Sequence, residues 1–520
     1  MEIKEDKNLK KLSGCKDNFA ESPVDYTLPD YLGDVRKILY TECLSGAFGK
    51  FSSEGREELS GSVNWNVLYL DSDGNPASAS FNSDYEMTVK RSEDCRSVFA
   101  FPSVSAYTLR LVGPRKFSGK AEINLSTKVL TDEDVSPMGT AFEKGDEVET
   151  DSINVSAVTM ASSAICESEY AEMIVKLEGA IRDEVSVFCP DASVRFASAT
   201  LSDDRVCLKG EILLRAIINE SGIPMYLCEK AIPIEEQVSA GDIKEGMIIT
   251  PHASVCSLVT NINATDEGTE VVMSVIVEYR ADGECNETVQ VITDAYLKNN
   301  QTENTYEDYR YTTLLDKIAV CDSMSCEFPL NTICTEVVRE IYCLDSSLKI
   351  ENTEISGDTL AINGEVKLSG FATATDESGS VIYLPLKLIS PMEIKIKCPR
   401  GMSEDTVTEL LLTAVSPSAI IDGDNAIFTY KVTGTASLYT PNCVRLLKCS
   451  DISESGEVCR KKGRITVYYP ESGETLFSVA KKFHTSSVTV AKDNDLAVSV
   501  GQTGDKDVLA DVKFLLIRGD

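Results

Sequence analysis

Residues 210–218, Gly210-Glu211-Ile212-Leu213-Leu214-Arg215-Ala216-Ile217-Ile218, decide the fold. Ile212, Leu214, Ala216 and Ile218 recur at every second residue, the period of a strand with one buried face. The pattern occurs twice more. Gly61-Ser62-Val63-Asn64-Trp65-Asn66-Val67-Leu68-Tyr69 puts Val63, Trp65, Val67 and Tyr69 on one side, and Gly364-Glu365-Val366-Lys367-Leu368 leads through Val366, Leu368, Gly370 and Ala372. The leading glycines are 149 and 154 residues apart.

Working outward, each strand runs into a turn signal: Asp71-Ser72-Asp73-Gly74, Asn219-Glu220-Ser221-Gly222 and Asp376-Glu377-Ser378-Gly379. Asp71-Ser72-Asp73 alone suggests calcium ligands, but the equivalent positions hold turn formers and the later bidentate Glu of a calcium loop is missing, so these are hairpin turns. An apolar residue 23 positions before each glycine (Ile38, Val187, Ile341) opens another strand. Short helices are expected just before it, at Asp34-Val35-Arg36-Lys37, Ala180-Ile181-Arg182-Asp183 and Thr335-Glu336-Val337-Val338. A second glycine follows the first by 58, 58 and 59 residues, at Gly119, Gly268 and Gly423, and leads one more strand. Its apolar faces are Val271/Met273/Val275/Val277 and Ala426/Phe428/Tyr430/Val432, with Ala121/Ile123/Leu125 shifted by one residue.

The fold class that follows is mainly β: three tandem β-sandwich-like repeats, then a small α+β module. The repeats are expected over 22–130, 166–297 and 321–442, with connectors at 131–165, 298–320 and 443–463, a disordered segment at 1–21, and the last module at 464–520. A chain of 520 residues exceeds one core and fits this division. The 443–463 connector is where the last module is expected to swing free.

That module centres on Val467 to Leu496. Val467 and Tyr469, at strand spacing, run into Pro470-Glu471-Ser472-Gly473, and Glu474-Thr475 can cap a helix. Leu476, Val479, Ala480 and Phe483 form one helical stripe, with Lys481 and Lys482 on the wet side. Ser486 or Ser487 caps a second helix packed by Val488 and Ala491 and ended by Asn494-Asp495, and Phe514-Leu515-Leu516-Ile517 closes the module as a strand.

Lys and Arg number 50 against 83 Asp and Glu, a net charge of −33, which argues against nucleic acid or an anionic membrane as main partner. Residues 460–520 carry 10 basic and 8 acidic side chains, so the acidity belongs to the preceding body. No signal peptide is visible at Met1–Lys7 and no apolar run reaches membrane-span length, so no membrane insertion is expected. With 17 cysteines and no export signal, reduced thiols in a cytosolic protein are expected.

No catalytic residue is assigned. His252 and His484 are the two histidines and fall in different modules, and nucleophile-elbow, phosphate-loop and dinucleotide motifs are missing. Cys321, Cys326, Cys334 and Cys343 span 23 residues, too widely spaced for a structural zinc site, and Cys343 shares its repeat position with Cys189, so they read as core thiols and no metal or cofactor is assigned. Trp65 reads as core.

The triplicated pattern, with Asn66-Val67-Leu68-Tyr69-Leu70-Asp71-Ser72-Asp73-Gly74 in its first copy, resembles the SPOCS domain of endospore-forming Firmicutes, and the terminal strand-helix-helix-strand segment resembles a LysM module. Three SPOCS-like repeats followed by LysM is the arrangement of a spore-coat morphogenesis family. The resemblance implies a non-enzymatic scaffold in the mother-cell cytoplasm at the forespore outer surface, whose LysM-like module docks onto the coat-basement ATPase-type morphogenetic protein, alongside other coat proteins. It also implies a groove between Gly473, Glu474, Thr475 and Leu476 on one side and Asn494, Asp495 and Leu496 on the other. Phe477 stands where LysM modules commonly carry Trp, and Glu474 where they carry Asp. A peptidoglycan- or N-acetylglucosamine-binding wall protein is the alternative that the groove leaves open.

Overall fold

The computed structural model of the chain describes residues 8–53, 56–90, 95–99, 102–398, 402, 405–457, 463–496, 509 and 512–518. Its architecture is mainly β, and the strands pair antiparallel in small sheets. The first unit contains β1 (Asn8–Thr27), β2 (Val35–Ser53), β3 (Arg56–Asp71), β4 (Pro76–Lys90), β5 (Cys95–Phe99), β6 (Ser103–Gly113) and β7 (Lys116–Asp134). Here β2-β3-β4 is a meander, while β7 pairs with β1 on one side and with β6 and β5 on the other.

The second unit contains β8 (Val148–Ser162), β9 (Cys166–Glu178), β10 (Val185–Ser202), β11 (Arg205–Glu220), β12 (Tyr226–Ser239), β13 (Ile248–Thr265) and β14 (Gly268–Leu297). The third contains β15 (Asn300–Pro329), helix α1 (Leu330–Ile333), β16 (Val337–Ser356), β17 (Thr359–Thr375), β18 (Val381–Lys397), β19 (Val407–Asp422) and β20 (Asn425–Glu457). Both follow the same scheme. The meanders are β10-β11-β12 and β16-β17-β18, and the last strand pairs with its hairpin partner on one side and with the unit's leading strands on the other.

One apolar core joins the two sheets of each unit. Val63, Trp65, Val67 and Tyr69, then Ile212, Leu214, Ala216 and Ile218, then Val366, Leu368 and Ala372 are buried. Trp65 Nε1 donates to Ser83 Oγ at 2.9 Å, so the indole is satisfied inside the core. The opposite face of these central strands is buried too. Leu68, Ile217 and Phe371 meet with Leu39, Phe188 and Leu344 where the three meanders converge.

Two local devices shape the meanders. Gly210 and Gly364 face β-bulges in the neighbouring strands, and a Cβ would fall 2.0 Å from the Arg195 carbonyl oxygen or 2.3 Å from that of Lys349. The turns close on Asp71 and Asp376, whose Oδ1 accepts the N–H groups two and four residues on at 2.8–2.9 Å. Gly74, Gly222 and Gly379 take positive φ of 82–88° there.

Several expectations give way to pairing. Residues 8–21 belong to β1, residues 148–162 of the expected first connector form β8, and 300–320 of the second lie in the thirty-residue β15. Acidic and polar composition misled because edge strands keep a wet face, whereas one edge of each backbone is laddered to a partner strand. Between β7 and β8 the chain is pinned to the third unit: Thr140 N–H donates to Asp451 Oδ1 at 3.0 Å, and Ile452 N–H donates back to Thr140 Oγ1 at 3.0 Å. The 443–457 part of the third connector continues β20.

The short helices also shift. Val35–Lys37 is strand, Arg182–Glu184 makes a 3₁₀ turn, and Leu330–Ile333 is a helical turn ending before Val337 enters its strand. The second glycines do not share one position: Gly119 is inside β7, Gly268 opens β14, and Gly423 is in the turn before β20. The apolar faces they lead, including Ala121, Ile123 and Leu125, are nevertheless buried.

Candidate partner-binding groove

The C-terminal segment consists of β21 (Ile465–Tyr468), α2 (Leu476–Phe483), α3 (Ser487–Asp493) and β22 (Leu515–Arg518), with β21 antiparallel to β22. Helix α2 forms where its period requires, burying Leu476, Val479 and Ala480. A reciprocal capping box starts it: Ser478 N–H donates to Thr475 Oγ1 at 3.1 Å, and Thr475 N–H to Ser478 Oγ at 2.9 Å. Helix α3 differs from expectation. Val490 and Ala491 are its buried residues, while Val488 is 52% exposed. In β21 the facing is reversed as well, since Val467 and Tyr469 are 51% and 68% exposed and Tyr468 turns inward. Val467, Tyr468 and Tyr469 are consecutive apolar residues at the end of a four-residue strand, which leaves its parity open.

The expected groove residues lie in two loops flanking the helical pair. Gly473, at φ 92°, and Asp495, at φ 53°, are exposed, whereas Leu476 is buried in the module's core. The polar groups between them are already engaged. Both oxygens of Glu474 lie 2.8 Å from the Tyr468 hydroxyl, which donates to them, and Glu471 N–H donates to Oε2 at 2.8 Å. The Glu471 N–H, with the Tyr468 hydroxyl, holds the Glu474 carboxyl below the usual carboxylate range. The Asn494 amide donates to the carbonyls of Val490 and Leu516 at 2.7 and 2.8 Å, and its Oδ1 accepts from Leu516 N–H at 2.6 Å. Asn494 therefore staples the second loop to β22 rather than presenting a free amide. Leu496 N–H caps α3 by donating to the Ala491 carbonyl.

The segment does not swing free. Tyr296, near the end of β14, packs into its apolar cluster, stands edge-on to Phe477 at 5.2 Å, and donates its hydroxyl to the Thr485 carbonyl at 2.6 Å. Lys481, expected on the wet side, places Nζ 2.5 Å from Asp294 Oδ2. His484 Nδ1 lies 3.0 Å from the Leu297 carbonyl, and Ser487 Oγ donates to Glu149 at 3.4 Å. Phe477, Lys481 and His484 follow one another at helical spacing, so α2 buries one side in its own module and lays the next against the second unit.

A second feature absent from sequence reasoning is an ionic junction between units. Lys128 of β7 contacts Glu284 of β14 at 2.5 Å and Glu409 of β19, and Lys317 of β15 lies 2.8 Å from Glu284. Nearby, His252 Nε2 is 3.0 Å from Asp282 Oδ2, and His484 is held as above. Among the described residues, no group of three or more His, Cys, Asp or Glu has the geometry to hold a metal ion, and none of the fourteen cysteines whose side chains are described forms a disulfide. Among the described residues no helix is long and apolar enough to cross a membrane. No family model matches the chain, and no curated protein matches it.

Proposed function

We propose that the chain is a non-enzymatic morphogenetic scaffold of the spore coat: three tandem SPOCS-like β-sandwich repeats that carry a LysM-like module in fixed orientation. The module's groove loops, Gly473–Leu476 and Asn494–Leu496, dock a coat-basement ATPase-type protein at the forespore surface, on the mother-cell side. The resemblance of the repeated strand-turn pattern supports the family, and the shared pairing scheme of the three units is what tandem copies require.

One observation favours a protein partner over a glycan. The side chains best suited to meet N-acetyl groups, Glu474 and Asn494, spend their hydrogen-bonding capacity inside the module. A sugar would have to displace those bonds, each of which contributes about 0.5–1.5 kcal/mol. A protein surface can instead pack against the exposed loop backbone around Gly473 and Asp495. Calorimetric titration of the full chain with chitin tetramer tests this choice. The expected result is no saturable heat, and saturable binding with 1:1 stoichiometry would replace the protein-docking reading with a wall-glycan one.

A further inference from the structure

Glu42, Asp191 and Asp345 occupy the same place in the three units, four residues after Ile38, Val187 and Ile341. Their cross-strand partners Asn66, Arg215 and Ser369 are likewise equivalent, five residues after Gly61, Gly210 and Gly364. All six sit at the apolar seam where Leu39, Phe188 and Leu344 bring the meanders together. Each pair is bonded: Asn66 Nδ2 donates to Glu42 Oε2 at 3.0 Å, Arg215 Nη2 to Asp191 Oδ2 at 2.6 Å, and Ser369 Oγ to Asp345 Oδ2 at 3.4 Å.

The seam therefore gathers three carboxyls around one guanidinium. Arg215 is committed to Asp191 and, across the unit boundary, to the Leu344 carbonyl at 3.1 Å. Glu42 and Asp345 are met by neutral donors. An apolar junction cannot hold two uncompensated negative charges at tolerable cost, and a proton on each is the cheapest remedy. The Tyr40 hydroxyl, on a residue 4% exposed, lies in the field of both carboxyls and is buried without a hydrogen-bond partner, so it does not compensate them.

We propose that this seam is a proton-operated latch: the three units close on one another with protons on the Glu42 and Asp345 carboxyls, and loss of those protons drives the units apart. Burial, followed by the charge of Asp191, pushes Glu42 up to about 8, and the same two causes raise Asp345. Between the ordinary carboxylate range and pH 8 the unfolded or opened chain then holds fewer protons than the closed one. Stability falls as pH rises through that window and its loss is complete above it.

Burial raises the thiols of Cys43, Cys189 and Cys343 and the hydroxyls of Tyr40 and Tyr107. Arg215 stays charged with Glu229 facing it, and Lys367, near Asp345, offsets only part of the burial effect.

Hydrogen exchange on the full chain tests the latch. After correction for the intrinsic rate, peptides covering 38–44, 187–193 and 341–347 are expected to lose protection at least tenfold between pH 6 and pH 9, with the sandwich strand at 271–277 unchanged. Glu42→Gln, neutral at every pH, is expected to lose less than half of that on a logarithmic scale. Equal protection at both pH values in the natural chain, or an undiminished loss in the variant, overturns the proposal. Should the variant not fold, carboxyl resonances of the ¹³C-glutamate-labelled natural chain decide: a glutamate still protonated at pH 7 is expected, and complete ionisation by pH 6 overturns it.

Discussion

The Tyr296 hydroxyl donates to the Thr485 carbonyl 2.6 Å away, joining the end of β14 to the turn between α2 and α3 across 189 residues of sequence. Because the ring is also buried among Leu476, Val479 and Val490, this contact fixes where the groove loops point. Tyr296→Ala removes both packing and bond, and a loss of about 3–5 kcal/mol exceeds what a small docked module can spare. Limited proteolysis should then release the C-terminal segment at least tenfold faster, while the β units keep their thermal transition. Tyr296→Phe should cost about 1 kcal/mol and leave the segment docked.

The three leading glycines should respond unequally to alanine. At Gly210 and Gly364 the new Cβ meets a backbone carbonyl, which cannot rotate away, but at Gly61 it meets the end of the Tyr85 side chain. Denaturant unfolding should show Gly210→Ala and Gly364→Ala destabilised by about 1–3 kcal/mol each, with Gly61→Ala affected less.

The Asp282 carboxyl predicts an acid limit. Burial alone would raise it, but the hydrogen bond from His252 and the Arg280 charge outweigh burial and hold it at about 2. Since its folded value lies below the unfolded one, its stabilisation is present above about pH 4 and is lost as pH falls toward 2. Asp282→Asn should lower the thermal midpoint at pH 6 and flatten its decline between pH 4 and pH 2, measured by calorimetry at constant ionic strength.

Calcium should be without effect. Asp71 and Asp376 use their carboxylates to accept backbone N–H groups within their own turns, which closes the loop without a cation. Adding millimolar calcium or a chelator should move the thermal midpoint by less than the measurement error, whereas Asp71→Ala should lower it.

The strand faces around Trp65, Leu214 and Leu368 and the α2 stripe were legible because a two-residue and a 3.6-residue period each name one buried side. The opposite face of the same strands was not, since Leu68, Ile217 and Phe371 are buried only by sheets that arrive from elsewhere in the chain. Residues such as Asn300–Asp308 read as a connector because an edge strand with one wet face has a loop's composition, and only its partner strand reveals it. Composition could not say that Glu474 and Asn494 face inward to Tyr468 and Leu516, nor that Lys481 has Asp294 for a partner.

The most direct measurement of the central claim is the binding isotherm of the full chain with the purified coat-basement ATPase, beside Asp495→Arg. That substitution puts a bulky cation on an exposed loop and leaves the buried packing untouched. Saturable binding by the natural chain and at least tenfold weaker binding by the variant are expected, with the variant's thermal midpoint lowered only by the strain of an arginine at positive φ. Equal affinity for both chains, or no binding by either, would contradict that claim.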